Sequence, residues 1–426
     1  MAAYRIHLNQ IKRVLVVCPT TVILNWKIQI KRFSGYDAID LHAAREERLR
    51  RLSLIDYNFY IINYEALPLF MSELFRLKFN MIIFDESARY IRNARAKRTR
   101  AAILLADKAK YKLILTGTPI ANRPLDIWSQ FRVLDGGTTF GSNFYSYRSK
   151  YFYKINIGSW PKWVVKKQAI PLLQKGMYEN CIRFTRDILD NAPDRVYDTL
   201  IVPINSIEDN YNDIKRKIMS EIETMKGTVT LQINNILTKL LRLQQVTSGF
   251  IKNESGVEVM LTHTPKLDTL IEEVESIVDS GESVVVWCRF LFSIKMIADK
   301  LKEKKIKSIT MQGSDKDKYA KWKGFQKSKD INVFIGQISA GGLGIELYKL
   351  DLNAEFQHMI FYEYTWTLDD TEQAKGRIDR IGQKSKCRYL TLYVEKTIDE
   401  TMLEVIKERK KIADLIIERG VEEIIK

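Results

Sequence analysis

Two adjacent carboxylates close an apolar run at Met81-Ile82-Ile83-Phe84-Asp85-Glu86. At a strand end such a pair suits a hydrated magnesium ion: Asp85 anchors the metal, and its neighbour Glu86 orients or deprotonates a water. Alone, the pair marks no more than a strand leaving its sheet. Three further groups give it company. Leu113-Ile114-Leu115 runs into Thr116-Gly117-Thr118-Pro119, a tight turn of small hydroxyl residues of the kind that meets a ligand at the carboxyl edge of an open sheet. Ser339 to Ile345 is a glycine-rich turn whose Gly342 and Gly344 let backbone amides approach a phosphate. In Gln373-Ala374-Lys375-Gly376-Arg377-Ile378-Asp379-Arg380, the arginines stand three apart, which predicts a shared helix face from which both reach a γ-phosphate. An amphipathic helix salt-bridged to its neighbours would show the same spacing.

The elements that must position these groups alternate. Largely apolar runs at Arg13 to Cys18, Phe59 to Ile62, Phe79 to Phe84 and Tyr111 to Leu115 predict strands buried on both faces of a parallel sheet. Between them Val22, Ile23, Trp26, Ile30 and Phe33 recur at helical spacing. A second series begins near Pro265, with strands predicted at Ser283 to Cys288, Ile306 to Met311, Ile331 to Ile335, Gln357 to Tyr362 and Tyr389 to Val394, and a helix over Leu368 to Ile378. The expected fold is α/β, with a first unit over 1–135, a helical and irregular insertion and linker over 136–263, and a second unit over 264–426. The aromatic segment Tyr145 to Lys154 suits base stacking or a local core, and the core reading is favoured. Lys300 to Asp330 holds eleven lysines against Glu303, Asp315, Asp317 and Asp330, for which a solvated helix face is favoured over a DNA-facing stripe.

Composition narrows the class. The chain has 426 residues, 46% hydrophobic and 28% charged, enough for two or three cored domains and unlike a disordered or fibrous chain. Its 68 lysines and arginines against 52 aspartates and glutamates leave a net charge of +16, which favours a polyanionic partner. The four cysteines and four histidines are scattered, with no CxxC pair, which argues against a zinc site and a disulfide framework. No apolar run approaches the roughly 18 residues of a membrane span, and no secretion signal is visible, so the expectation is an intracellular, cytoplasmic protein associated with DNA and not with membrane.

Taken together and in this order, the motifs resemble those of the Swi/Snf-type DNA-dependent ATPases, the double-stranded-DNA translocases of helicase superfamily two. Val17-Cys18-Pro19-Thr20 with Asn25-Trp26 is similar to that family's motif Ia, Asp85-Glu86-Ser87-Ala88 to motif II, and Thr116 to Asn122 to motif III. Val285 to Cys288 resembles motif IV, Ala340 to Leu347 motif V, Gln373 to Gln383 motif VI, and Thr397-Ile398-Asp399-Glu400 the family's usual ending. The resemblance implies two RecA-like lobes, parallel sheets flanked by helices, with ATP in the cleft between them and duplex DNA across both. It implies magnesium on Asp85, water activation by Glu86, arginine fingers at Arg377 and Arg380, and nucleotide contacts at Gln373, Gly342 and Gly344. Gln373 would also couple the cleft to DNA, and Pro19, Thr20, Thr116, Gly117 and Gly342 would lie near the DNA backbone.

The family also carries a phosphate loop, G-x-x-x-x-G-K-[ST], and no glycine in these 426 residues is followed by lysine. The expectation is therefore a first lobe incomplete at its N-terminus, with a missing segment or a separate polypeptide supplying the loop. A non-hydrolytic DNA-binding or scaffolding module is the rival reading, and a strand-separating RNA helicase is a weaker third. Ala88 and Asp379 stand where the family commonly has histidine.

Overall fold

The computed structural model describes residues 1–117, 124–157, 160–182, 194–223, 229–253, 255–341, 345–349, 354–365, 368–380 and 383–407. By internal contacts the chain divides into two compact units, Met1–Ile157 with Pro161–Arg183, and Gly158–Trp160 with Phe184–Lys426. Residues 136–263, read from sequence as insertion and linker, are thus shared between them.

The first unit is built on five parallel strands, β1 (Val14–Cys18), β2 (Ala38–Asp40), β3 (Phe59–Asn63), β4 (Met81–Phe84) and β5 (Tyr111–Ile114), in the order β2-β3-β1-β4-β5. Every residue of β1, β3 and β4 is buried, as expected of valine- and isoleucine-rich strands covered on both faces by helices. The register sets Val17 against Ile62 and Phe84, and Phe84 against Ile114, so the strands end together and their following loops share one carboxyl edge. The aromatic segment is largely core. Tyr147, Tyr151 and Phe152 are buried with Ile127, Trp128, Phe131 and Phe140, while Tyr145 and Tyr153 stay exposed. Two strands here, β6 (Phe152–Ile157) and β7 (Trp160–Val165), pair as a separate two-stranded sheet.

In the second unit β8 (Arg195–Val202) precedes a small antiparallel pair, β9 (Phe250–Lys252) and β10 (Glu258–Met260). The main sheet then adds β11 (Ser283–Cys288), β12 (Ser308–Met311), β13 (Val333–Gln337), β14 (Phe356–Phe361) and β15 (Lys386–Val394), all parallel, in the order β12-β13-β11-β14-β15-β8. Gly336 faces the fully buried Trp287 of the adjoining strand so closely that a Cβ there would stand 2.5 Å from the indole ring; glycine is needed for the close approach.

Two strands depart from the expectation. β2 has only three residues, and β8 lies within the segment read as linker. β8 alternates exposed and half-buried residues because it is the sheet's edge, so it lacks the solid apolar run that marked the others. The helix expected over Leu368 to Ile378 stops at Lys375, ahead of Gly376, whose lack of a side chain disfavours the helical interior.

A buried polar network ties the C-terminal helix Ile398–Lys407 to this unit. Lys266 Nζ donates to Asp399 Oδ2 at 2.5 Å, with side chains 2% and 5% exposed, and Thr247 Oγ1 donates to Asp399 Oδ1 at 2.9 Å. The Tyr211 hydroxyl accepts from the Ile398 amide at 2.7 Å.

His358, buried on β14, has Nε2 2.6 Å from Glu282 Oε2. Burial holds its imidazolium below the ordinary histidine value, with Glu282 opposing the shift. The sign follows: as pH falls through about 6.5 the unfolded chain takes up a proton that the folded chain accepts less readily, so stability present above that pH is lost below it. Thermal melting of the second unit should therefore shift downward between about pH 7 and pH 5.5, and His358→Gln should flatten the dependence. An equally steep dependence in the variant would exclude His358 as the cause.

Candidate functional site

The sequence-selected residues of the first unit gather at its carboxyl edge. Pro19 and Thr20 follow β1, Asp85 and Glu86 follow β4, and Thr116 and Gly117 follow β5. The strand ladders continue into these loops: the Asp85 amide donates to the Val17 carbonyl at 2.8 Å, and the Ser87 amide donates to the Leu115 carbonyl at 3.0 Å. Asp85 is thereby held at a fixed height between neighbouring strand ends. Pro19 is buried, Thr20 and Gly117 are exposed, and Thr116 is half-buried.

Asp85 is oriented as well as placed. Trp26, on the helix Ile23–Ser34, donates its indole Nε1–H to Asp85 Oδ2 at 2.8 Å, and the Glu86 amide donates to Oδ1 at 3.1 Å. The hydroxyl of Tyr64, stacked on Tyr90, donates to the Asp85 carbonyl at 2.7 Å. Glu86 takes the left-handed conformation, φ 52° and ψ 41°, which a non-glycine residue adopts at a cost; it turns the chain sharply out of the strand and starts the short helix Ser87–Tyr90. Ser87 Oγ then donates to Gln130 Oε1 at 3.0 Å in the core. Ala88 is buried there too.

The edge is an anionic environment. Burial raises the Cys18 thiol above its ordinary value, and the charges of Asp85 and Asp40 raise it further. Burial, then Asp85, does the same to the Tyr64 phenol. A protonated, buried thiol is no metal ligand, whereas two adjacent carboxylates are the hard oxygen donors that magnesium prefers. Among the described residues no group of three or more His, Cys, Asp or Glu side chains forms a cation cage. The donor set fits an ion held by one or two carboxylates that keeps its remaining places for water and a bound phosphate.

In the second unit the pair Arg377 and Arg380 does not share a helix face, because the helix Leu368–Lys375 ends before both. Arg377 is 5% exposed, its Nη1 3.5 Å from the Ile345 carbonyl, and its own carbonyl accepts from the Leu347 amide at 2.8 Å. That places Arg377 against the segment following the glycine-rich turn, while Arg380 is exposed. Gln373 sits half-buried on the helix. Gly342, Gly344 and the span 118–123 lie outside the described residues. Asp379, where the resemblance led one to look for histidine, is ion-paired with Arg195 of β8, the Nε–Oδ2 distance being 2.7 Å. Burial alone would lower the Arg195 value, and the Asp379 carboxylate reverses this to a net rise.

Sequence reasoning missed Trp26 as a partner of Asp85 and Arg195 as a partner of Asp379. The first had a signal, a tryptophan one turn into the helix that follows β1. The second had none, since its partners are 184 residues apart in the chain.

Two parallel α/β units, one presenting adjacent carboxylates at its carboxyl edge and the other an arginine-bearing turn, are the two RecA-like lobes expected from the sequence. The chain belongs to the Swi/Snf-related family: the SNF2-related domain matches residues 2–249, and the helicase conserved C-terminal domain matches residues 265–382. It is 24% identical over 408 residues to an uncharacterized ATP-dependent helicase of Mycoplasma pneumoniae, covering 93% of this chain and 36% of that protein. It is 22% identical over 437 residues to the SWI/SNF chromatin-remodeling complex subunit snf22 of Schizosaccharomyces pombe, covering 97% of this chain and 25% of that one. The chain thus spans well under half the length of these curated relatives. Among solved structures, the Sulfolobus solfataricus SWI2/SNF2 ATPase core in complex with dsDNA matches at 22% identity and a TM-score of 0.43, covering 99% of this chain and 87% of that one. Among the described residues no helix is long and apolar enough to cross a membrane.

Proposed function

We propose that this chain is the motor core of an ATP-driven duplex-DNA translocase, tracking along DNA without necessarily separating its strands. The observation that carries the reading is Asp85, set by Trp26 at the carboxyl edge of a parallel sheet, with Glu86 turned out beside it. Asp85 would hold a hydrated magnesium ion, which supplies charge compensation at the phosphate oxygens. Glu86 takes the proton of the attacking water, and Arg377 and Arg380 meet the charge that develops on the γ-phosphate. Gln373, Gly342 and Gly344 serve the nucleotide. Thr20, Thr116 and Gly117 meet DNA phosphates, with the buried Pro19 fixing the turn before Thr20, and such contacts give affinity with little sequence preference.

The test is ATP hydrolysis with and without duplex DNA, by this chain and by a form carrying a G-x-x-x-x-G-K-[ST] loop upstream. Hydrolysis stimulated by DNA in the extended form supports the motor. DNA binding with no hydrolysis and no response to ATP in either form supports instead a non-hydrolytic scaffold.

The Trp26 bond gives a finer expectation. Trp26→Phe keeps the ring and removes the N–H, and a hydrogen bond to a charged group contributes about 1.5 kcal/mol, so the magnesium concentration for half-maximal hydrolysis should rise about tenfold. A magnesium titration of the extended form reads it, and an unchanged midpoint would remove Trp26 from the metal's support.

A further inference from the structure

The lysines between Lys300 and Asp330 do not form one helix face. On the helix Lys318–Lys327, Lys318 donates to the Gly313 carbonyl at 2.7 Å and Lys321 pairs with Asp315 at 2.8 Å, so these are engaged locally. Seven of the other nine collect elsewhere. β12 and β13 are parallel neighbours with Ser308 beside Val333, so the turns leading into both strands lie side by side at the amino edge of the sheet. The helix Leu291–Glu303 and the helix Lys318–Lys327 both deliver the chain to that edge. The two turns with the helix ends, residues 300–307 and 327–330, carry seven lysines against two carboxylates, Glu303 and Asp330.

Of the seven, Lys300 pairs with Glu303 and Lys304 with Glu275, each at 3.1 Å. Lys302, Lys305, Lys307, Lys327 and Lys329 are exposed and have no carboxylate partner among the described residues. A lysine in a last helical turn complements the helix dipole, which accounts for Lys302 and Lys327 but not for Lys305, Lys307 and Lys329 in the turns beyond. The second turn is fixed from beneath: the buried Lys349 donates through Nζ to the carbonyls of Ser328 and Ile331, the latter at 2.6 Å, and that Nζ lies over the Phe325 ring, 4.7 Å from its centroid. The cluster is therefore a shaped ridge of unneutralised ammonium groups, on the opposite edge of the sheet from the turns after β11 and β13.

We propose that this amino-edge ridge of the second unit is an additional docking surface for the phosphate backbone of duplex DNA, separate from the contacts at the carboxyl edges. The inference rests on the DNA-translocase reading above and extends it to a second stretch of DNA, or a second turn of the same one. Compact ammonium groups on flexible stems suit a sequence-independent phosphate track. A lipid surface would call for apolar side chains to insert, and between residues 300 and 332 only Tyr319, at 36%, counts among the exposed large apolar side chains.

The test compares the chain with a variant carrying Lys302→Gln, Lys305→Gln, Lys307→Gln and Lys329→Gln, with equilibrium affinity for a fluorescent blunt duplex measured over a salt series. Each lost phosphate contact lowers the slope of log affinity against log salt by about 0.9, so a slope reduced by about 2 to 4 is expected. The four positions are exposed, and an unchanged melting temperature checks that the variant folds. An unchanged slope in the variant, with salt-dependent binding by the parent chain, overturns this inference and leaves the translocase reading standing. Parent binding that ignores salt overturns both. Binding to phosphatidylserine vesicles that the variant loses while its DNA slope is unchanged would assign the ridge to lipid and overturn it equally.

Discussion

Glu86→Gln is expected to lower DNA-stimulated ATP hydrolysis by roughly a hundred- to ten-thousandfold, the usual contribution of a positioned general base, while ATP and DNA binding persist. Glutamine keeps the size of the side chain and most of its hydrogen-bonding reach, but cannot take a proton from water. The measurement is single-turnover hydrolysis alongside equilibrium nucleotide binding, on the form carrying an upstream phosphate loop; a loss of binding equal to the loss of rate would show instead that Glu86 holds the nucleotide. The backbone adds a second arm. Because Glu86 sits at φ 52°, Glu86→Gly should relieve about 1 kcal/mol of conformational cost while removing the same carboxylate. A variant that melts higher and hydrolyses less would show that the strain is kept for the sake of the carboxylate's direction. If Glu86→Gly is less stable than the parent, the left-handed turn is not the strained element.

Asp399→Ala is expected to destabilise the second unit by about 3 to 5 kcal/mol, because it removes the ion-pair partner of the Lys266 ammonium, which is 2% exposed. Lys266→Met should cost a comparable amount for the mirror reason. Replacing both, Lys266→Met with Asp399→Leu, should cost much less than the sum, since a buried pair exchanged for apolar groups of similar size loses Coulomb attraction and desolvation penalty together. Denaturant melts of Lys266→Met, Asp399→Leu and the double variant form a double-mutant cycle. Additive losses would mean that the pair is not coupled and that Thr247 and the Val394 amide, which also bond to Asp399, carry the anchorage.

Much of this architecture was legible. Strands such as Val14–Cys18 and Ser283–Cys288 are covered on both faces, so each appears as a solid apolar run that a helix on the surface would not show. Asp85 and Glu86 were legible for the related reason that a parallel strand must expose its carboxyl end. What stayed hidden depends on distance along the chain or on a local break. The Trp26 bond joins positions 59 apart and the Arg195 pair positions 184 apart, and no periodicity encodes either. The arginine placement was misjudged although its signal was present: Gly376 precedes Arg377, and a glycine there ends the helix that a shared face would need. β8 escaped because an edge strand is wetted along one side, and Arg195, Tyr197, Thr199 and Ile201 are exposed in alternation.

The pairing of β8 with β15 sets Arg195 beside Cys387 and Val202 beside Val394, partners separated by 192 positions, 387 less 195. At about 5 to 20 residues per second, a ribosome needs roughly 10 to 40 s to supply the second strand after the first. Over that interval β8 emerges with Tyr197 and Ile201 exposed and no ladder to join, while β11 and β13 already have each other. Closing so long a loop comes late and slowly in folding. The edge of the second lobe is thus the last part of its sheet to form, and it is the segment a nascent chain most needs to keep from pairing with a neighbour's.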